Sequence, residues 1–185
     1  MKPISVTSPI WVIANKELRD SLRNRWILFM GSIFMLLSLS VTFAGSAVTG
    51  ELALPPLANL MSSLSTTAVF IIPLAAILLS YDSFVGEQEA GTLLLLLSYP
   101  VSRTQILLGK LVGHSLVMLI TTSCAFGITA GLLLLVGSQY LVSDVVSVFS
   151  QFIVSSNLLA VTFILIGYIV SLRATEKAKA VAGLL

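Results

Sequence analysis

Long stretches without a single charged residue limit what this chain can fold into. No charge occurs between Arg25 and Glu51, and an α-helix over residues 27–48, rising about 1.5 Å per residue, can cross a hydrocarbon core of roughly 30 Å. Further uncharged runs follow at 60–81, 111–136 and 148–172. With 57% hydrophobic and only 10% charged residues, the composition excludes an ordinary soluble domain. The sequence predicts an all-α integral membrane protein with four transmembrane helices.

The positions of the basic residues predict how these helices are oriented. All 10 Lys and Arg residues lie before the first run, between the second and third, or after the fourth. The two loops on the opposite side carry only Glu51 and Asp144 as charged residues. Because basic loops remain in the cytoplasm, the pattern predicts a multi-pass protein of the bacterial inner membrane. Both ends of the chain and the 82–110 segment are expected on the cytoplasmic side.

The segment before the first apolar run, residues 1–26, has a helical periodicity of its own. Its apolar residues recur at spacings of three and four, at Trp11, Ala14, Leu18, Leu22 and Trp26. Charged residues occupy the opposite face. Trp suits the headgroup region and basic residues suit an anionic leaflet, so the pattern predicts an amphipathic helix lying in the membrane plane. The alternative is an ordinary charged anchor in front of the first span.

Acidic residues interrupt the basic segment between the second and third runs. Asp82, Glu87 and Glu89 gain nothing from anionic lipid, so a protein partner of complementary charge explains them better. Residues 87–99 are predicted to form a short cytoplasmic helix that ends before Pro100, with acids at the favourable end of the helix dipole. Such a helix is too short to span the membrane and fits a rigid lever. The alternative is a solvated loop with a fortuitous leucine run.

Parts of this segment resemble the coupling region of ABC-2-type permeases. The matching stretches are residues 87–92 (EQEAGT), 98–103 (SYPVSR) and 106–110 (ILLGK), and residues 16–26 (KELRDSLRNRW) resemble the first helix of the same family. The resemblance implies that residues 27–185 form the family's transmembrane domain. It also implies contact with a separate ATPase by the following residues: Asp82, Glu87, Glu89, Gly91, Thr92, Tyr99, Pro100 and Arg103.

Within the family, further short motifs resemble the permeases of nitrous oxide reductase maturation: Tyr81-Asp82, Ser98-Tyr99-Pro100, Gly113-His114 and residues 155–159 (SSNLL). This resemblance implies a permease homodimer, separate ABC ATPase subunits that bind ATP and Mg²⁺, and a periplasmic partner protein. Together they would support assembly of the reductase's copper-sulfide centre. The resemblance also implies six membrane helices. The sequence predicts four and the start of a fifth at residues 180–185, so we expect a truncated member.

Several other activities find no support in the sequence. The chain has no Gly-x-x-x-x-Gly-Lys-Ser/Thr loop, so ATP hydrolysis is expected in another subunit, and no catalytic residue or cofactor is assigned to this one. No Asp, Glu, Lys or Arg residue lies near the middle of a predicted span, which disfavours an ion-coupled secondary transporter. No nucleic acid partner is expected.

The possible copper ligands are scattered along the chain, at Met30, Met35, Met61, Cys124, Met118 and His114. Met30 and Met35 point about 140° apart on a helix, so we interpret the methionines as packing residues and predict no metal site. The pairs Gly109-x-x-x-Gly113 and Gly127-x-x-x-Gly131 fit close helix packing, a pattern that also arises by chance in apolar helices.

The function that these patterns favour is ATP-driven transport. Closure of the ATPase pair would push on the short cytoplasmic helix, tilt the second and third membrane helices, and change access across the membrane. Two alternatives remain open. One is an ABC-2 exporter of another substrate, such as a lipid, drug or polysaccharide, and the other is a non-transporting membrane scaffold for periplasmic maturation proteins.

Overall fold

Helices make up nearly all of the chain that the computed structural model describes, namely residues 7–49, 54–89, 91, 101–137 and 139–173. In order they are α1 (Thr7–Arg23), α2 (Arg25–Thr49), α3 (Leu57–Ser80), α4 (Asp82–Glu89), α5 (Arg103–Val136) and α6 (Val142–Arg173). No strand occurs within these ranges. The all-α prediction is therefore confirmed for this part of the chain.

Three of these helices, α3, α5 and α6, are each long and apolar enough to cross a membrane. Helix α2 corresponds to the predicted first span, but it meets the same criterion only together with α1. The segments Pro9–Arg23 and Leu28–Ala44 join at a bend of 71°. The described residues thus contain three candidate spans, or four if the bent pair counts as one, and the four-span arrangement remains a prediction.

Helix α5 begins at Arg103, well before the predicted start of the third span at residue 111. A capping box explains the early start. The amide of Gln105 donates to Ser102 Oγ at 3.2 Å, and the amide of Ser102 donates to Gln105 Oε1 at 2.9 Å. Helix α6 likewise begins at Val142 instead of residue 148. Both helices are therefore longer than their apolar runs.

The helix predicted over residues 87–99 is not continuous, because it is interrupted at Gly91. The short helix α4 begins at Asp82 and ends at Glu89. Gly91 follows with a φ of 71°, a left-handed conformation that interrupts any α-helix through this point. Residues 92–100 lie outside the described ranges.

Side-chain contacts fix the relative directions of the long helices. Gly31 lies against Thr121, and Ser38 Oγ lies 2.9 Å from Thr129 Oγ1, so α2 and α5 run parallel. At one end of the bundle, Tyr140 Oη donates a hydrogen bond to the Pro55 carbonyl just before α3 begins. At the other end, Ser80 packs on Gly167, so α3 and α6 run together and opposite to α5.

The buried core lies between α2, α3, α5 and α6. Phe126 is 1% exposed and makes edge-to-face contacts with Phe34 and Phe152, with ring centroids 5.0 and 4.6 Å apart. The outer surface is also apolar, since Phe70 and Leu135 are 74% and 82% exposed. An apolar surface around an apolar core is expected of helices in contact with lipid.

Candidate functional site

Helix α1 packs directly on the N-terminal part of α5 through two glycines. A Cβ atom on Gly109 would lie 2.7 Å from Ile13 Cβ, and one on Gly113 would lie 2.7 Å from Glu17 Cβ and 2.9 Å from the Ala14 carbonyl oxygen. No side chain can occupy these positions without moving α1. The Gly109-x-x-x-Gly113 pair is therefore a packing site. Gly127 and Gly131, in contrast, have no described atom within 4 Å of such a Cβ.

A buried lysine lies immediately beside Gly109 and Gly113, which we call the glycine seam. The Lys110 side chain is 1% exposed, and its Nζ lies 3.0 Å from Glu17 Oε1 of α1, 3.0 Å from Glu87 Oε1 of α4 and 3.0 Å from the Ser83 carbonyl oxygen. Burying an ammonium group is costly unless it is paired and hydrogen-bonded. Here one ammonium group binds two carboxylates from two different helices.

Glu17 also contacts the imidazole of His114, with Oε2 3.5 Å from Nε2. Burial alone would raise the pKa of the Glu17 carboxyl, but the hydrogen bond with His114 and the charge of Lys110 hold that pKa well below its ordinary value of 4.5. On the other side of the ring, His114 Nδ1 lies 2.7 Å from Tyr168 Oη of α6. The network therefore extends from α1 through α5 to α6.

Lys16 lies at the half-exposed edge of the network. Its Nζ is 3.3 Å from Glu17 Oε1 and 3.2 Å from Glu87 Oε1. Partial burial would lower the pKa of Lys16, but the two carboxylates outweigh this effect and raise the pKa above its ordinary value of 10.5. We call Lys16, Glu17, Glu87, Lys110 and His114 the ionic cluster.

Helix α4 has a second, uncharged attachment to the bundle. The amide of Phe84 donates to Ser171 Oγ at 3.2 Å, and the Phe84 ring packs edge to face on Tyr168 at 5.3 Å. Lys110 Nζ lies 5.3 Å from the centroid of the same ring. One end of α4 is thus held by α6, and Glu87 near the other end is held by the ionic cluster.

A cavity of about 640 Å³ opens between the α1–α2 bend and helices α3, α4 and α5. The ionic cluster lines its polar end through Glu17, Glu87, Lys110 and His114. Apolar side chains of α2, α3 and α5 line the remainder, and Met30 and Met118 are among them. Sequence spacing alone did not indicate that His114 and these two methionines border the same space.

The structure locates only some of the residues expected to couple to an ATPase. Glu87 points inward to Lys16 and Lys110, Gly91 lies in an exposed turn, and Arg103 is an exposed residue at the start of α5. Asp82 and Glu89 begin and end α4, but their side chains lie outside the described part. Thr92, Tyr99 and Pro100 also lie outside it. The coupling role of the set stays a prediction.

Helix α1 has the predicted periodicity, but its buried face coincides with the predicted apolar face only at Ala14 and partly at Leu18. Ile13, Ala14, Glu17 and Ser21 are its buried residues. Trp11 and Leu22 are 62% and 39% exposed, and Leu18 is half-buried. The side chain of Trp26 lies outside the described part. Trp11 and Leu22 are therefore available for a membrane surface, as an interfacial helix requires, although membrane contact itself remains a prediction.

The centre of the site was not predicted from the sequence, in which Lys110 was interpreted as a cytoplasmic basic residue and His114 was considered as a possible copper ligand. One signal was present. Lys110 and His114 are one turn apart on α5 and alternate with Gly109 and Gly113, so charged and small residues share the same part of the helix. That combination indicates a closely packed polar interface better than a solvated helix end.

Comparison with known proteins identifies a family and two relatives for this chain. The family described as ABC-2 family transporter protein matches residues 11–185. A relative from Pseudomonas aeruginosa named "Probable ABC transporter permease protein NosY" is 42% identical over 171 residues, covering 92% of this chain and 62% of the relative. One of the same name from Stutzerimonas stutzeri is 41% identical over 175 residues, covering 95% of this chain and 63% of the relative.

The chain thus spans less than two thirds of the length of these curated relatives. The match nevertheless extends over the bent α1–α2 pair, the ionic cluster and all three candidate spans. The chain belongs to the ABC-2 family of transporter proteins.

Proposed function

We propose that the protein is the permease subunit of an ABC transporter that supports maturation of the copper-sulfide centre of nitrous oxide reductase. The observation that carries this proposal is the 42% identity to a NosY permease over 92% of the chain. The permease acts as a homodimer in the bacterial inner membrane with a separate ABC ATPase and a periplasmic partner protein. ATP and Mg²⁺ bind to the ATPase.

The orientation proposed for this subunit follows from its charges. The ionic cluster and the basic residues of α1 lie at the same end of α5, and Asp144 lies at the start of α6 beyond the other end. The positive-inside rule supports a cytoplasmic position for the first group. In this orientation α4 faces the ATPase, so motion of the ATPase pair reaches the bundle through α4 and the residues after it.

Deletion of the gene tests the maturation role in a bacterium that makes nitrous oxide reductase. We expect the purified reductase to lack its copper-sulfide centre, and a full-length wild-type copy to restore the copper content and nitrous oxide reduction. A reductase that is fully loaded with copper in the deletion strain would overturn the maturation role. In that case an exporter of a lipid, drug or polysaccharide becomes the favoured function.

A second strain separates transport from scaffolding. In it the ATPase subunit carries a substitution of the acidic residue that activates water for ATP hydrolysis, and the permease is unchanged. A transporter is expected to fail in maturation in this strain, because transport needs ATP turnover. If maturation continues at the wild-type level, the protein is a scaffold and the transport role is refuted.

Docking on the ATPase is tested by reversing a charge on α4. Glu87 points inward to Lys16 and Lys110, so the test changes Glu89 alone. We expect Glu89→Lys to lose both co-purification of the ATPase and reductase maturation. Asp144→Lys is the matched control, since it reverses an exposed acid at the opposite end of the bundle and should affect neither. Unchanged co-purification and maturation in Glu89→Lys would show that this acid does not dock.

A further inference from the structure

One lysine of the ionic cluster connects three helices, an arrangement that the burial of a lysine side chain does not by itself require. A single ammonium group on α5 binds one carboxylate from α1 and another from α4, each at 3.0 Å. We propose that Lys110 is a positioning residue that makes α1, α4 and α5 move as one unit, so that displacement of α4 is passed to the membrane bundle. This inference rests on the proposed function, in which the ATPase moves α4.

Helices α1 and α5 already form a rigid pair. At Gly109 and Gly113 the backbone of one helix lies against the other with no room for a β-carbon. Close-packed interfaces of this kind resist sliding because each atom has fixed neighbours. A connection from α4 to either helix is therefore a connection to both.

Helix α4 is held to α6 by short-range contacts and to α5 by an ion pair. Its attachment to α6 includes a hydrogen bond from Phe84 to Ser171 and a ring contact between Phe84 and Tyr168, and contacts of these short-range kinds are lost with small changes in distance. The attraction between Glu87 and Lys110 falls only as the inverse of distance and is strengthened by the low dielectric constant of a buried site. An ion pair can therefore transmit force while the helices move.

The side chain of Glu87 faces the bundle. It is 18% exposed, and Oε1 contacts Lys16 and Lys110. A residue in this position attaches the inner side of α4 to the bundle, which leaves the outer side of the helix for a partner. Glu87 then acts as the inner end of the coupling element.

The test uses the full-length permease with its ATPase and two variants that remove the same connection from opposite sides, Lys110→Met and Glu87→Gln. Asp20→Asn is the matched control, because it removes an acid of α1 that pairs with Lys16 at 3.6 Å and is 61% exposed. The readouts are co-purification of the ATPase, the rate of ATP hydrolysis, and the ATP-dependent change in distance between spin labels on α1 and α6.

We expect Lys110→Met to retain co-purification of the ATPase and a rate of ATP hydrolysis within about twofold of wild type. In the same variant, maturation per ATP hydrolysed should fall at least about tenfold, and the ATP-dependent distance change should be lost. Glu87→Gln should lose the same distance change. The control should match wild type in every readout. A residue with a merely structural role would lower assembly and hydrolysis together with coupling.

A charge exchange keeps the inference testable if Lys110→Met does not fold. The double variant Lys110→Glu with Glu87→Lys retains two acids and two lysines at the site, and we expect it to recover at least half of the distance change that each single reversal abolishes. The inference is overturned if Lys110→Met keeps the wild-type distance change, or if the exchange folds and restores none of it. The distance readout does not involve the reductase, so a failed maturation role and a failed positioning role give different results.

Discussion

A single methyl group at Gly113 is expected to disturb the contact between α1 and α5. The Cβ of an alanine there would lie 2.7 Å from Glu17 Cβ and 2.9 Å from the Ala14 carbonyl oxygen, and neither atom is the free end of a flexible side chain. Overpacking of this kind costs about 1–3 kcal/mol. Helix α1 must shift away from α5, which also lengthens the contact between Glu17 and Lys110.

Gly127→Ala provides the matched control, because Gly127 lies in the same helix and its Cβ would meet no described atom within 4 Å. Both variants gain the higher helix propensity of alanine, about 1 kcal/mol, so this gain cancels in the comparison. The remaining difference in the free energy of unfolding is the packing cost. We expect Gly113→Ala to unfold at a temperature roughly 2–12 °C below that of Gly127→Ala.

The assay is thermal unfolding of the detergent-purified protein, combined with limited trypsin digestion as a local measurement. Arg19 and Arg23 are exposed on α1 and provide cleavage sites whose protection depends on docking of the helix. Cleavage there should be faster in Gly113→Ala than in Gly127→Ala. Equal unfolding temperatures and equal cleavage rates would refute the close contact between α1 and α5.

Three further predictions concern the polar end of the bundle and its surroundings. The folded-state pKa of Glu17 is lowered, so its contribution to stability is present above its ordinary pKa of 4.5 and is lost as pH falls through the lowered value. The difference in free energy of unfolding between wild type and Glu17→Gln should therefore shrink in acid and stay constant near neutrality. Tyr168→Phe leaves His114 Nδ1 without its partner and should cost about 1–3 kcal/mol in chemical unfolding; no change would remove this hydrogen bond from the network. Gly167→Ala places a methyl group against Ser80 Oγ and should lower the unfolding temperature, and adding Ser80→Ala should restore most of the loss; an unrescued double variant would contradict this steric explanation.

The long apolar helices could be predicted from the sequence because uncharged runs of spanning length have few alternatives. Their ends were less accurate. Helix α5 extends to Arg103 because a capping box at Ser102 satisfies its first amides, a local signal that the apolar run does not include. The 87–99 prediction treated Gly91 as helical, whereas this glycine adopts a positive φ and ends any continuation of α4. Hydrophobicity identifies a span, whereas the capping residues decide where its helix begins.

The ionic cluster could not be predicted in the same way, because its members come from distant parts of the chain. Glu17 and Lys110 are 93 residues apart, and Lys16 and Glu87 are 71 apart. The positive-inside rule explained Lys110 completely as a topological signal, so no unexplained charge remained to suggest a buried partner. Its role became visible only through the helix packing that brings α1 onto the glycines of α5.

The contact between α1 and the glycine seam also determines an order of events during biosynthesis. Glu17 leaves the ribosome 93 residues before Lys110, which corresponds to roughly 5–20 s of synthesis. Throughout this interval α1 has neither its buried counter-ion nor the groove that receives it. Its exposed Trp11 and Leu22 give it an apolar surface that can rest on the bilayer meanwhile. Helix α1 therefore reaches its final position only after α5, which is synthesised later, has been inserted.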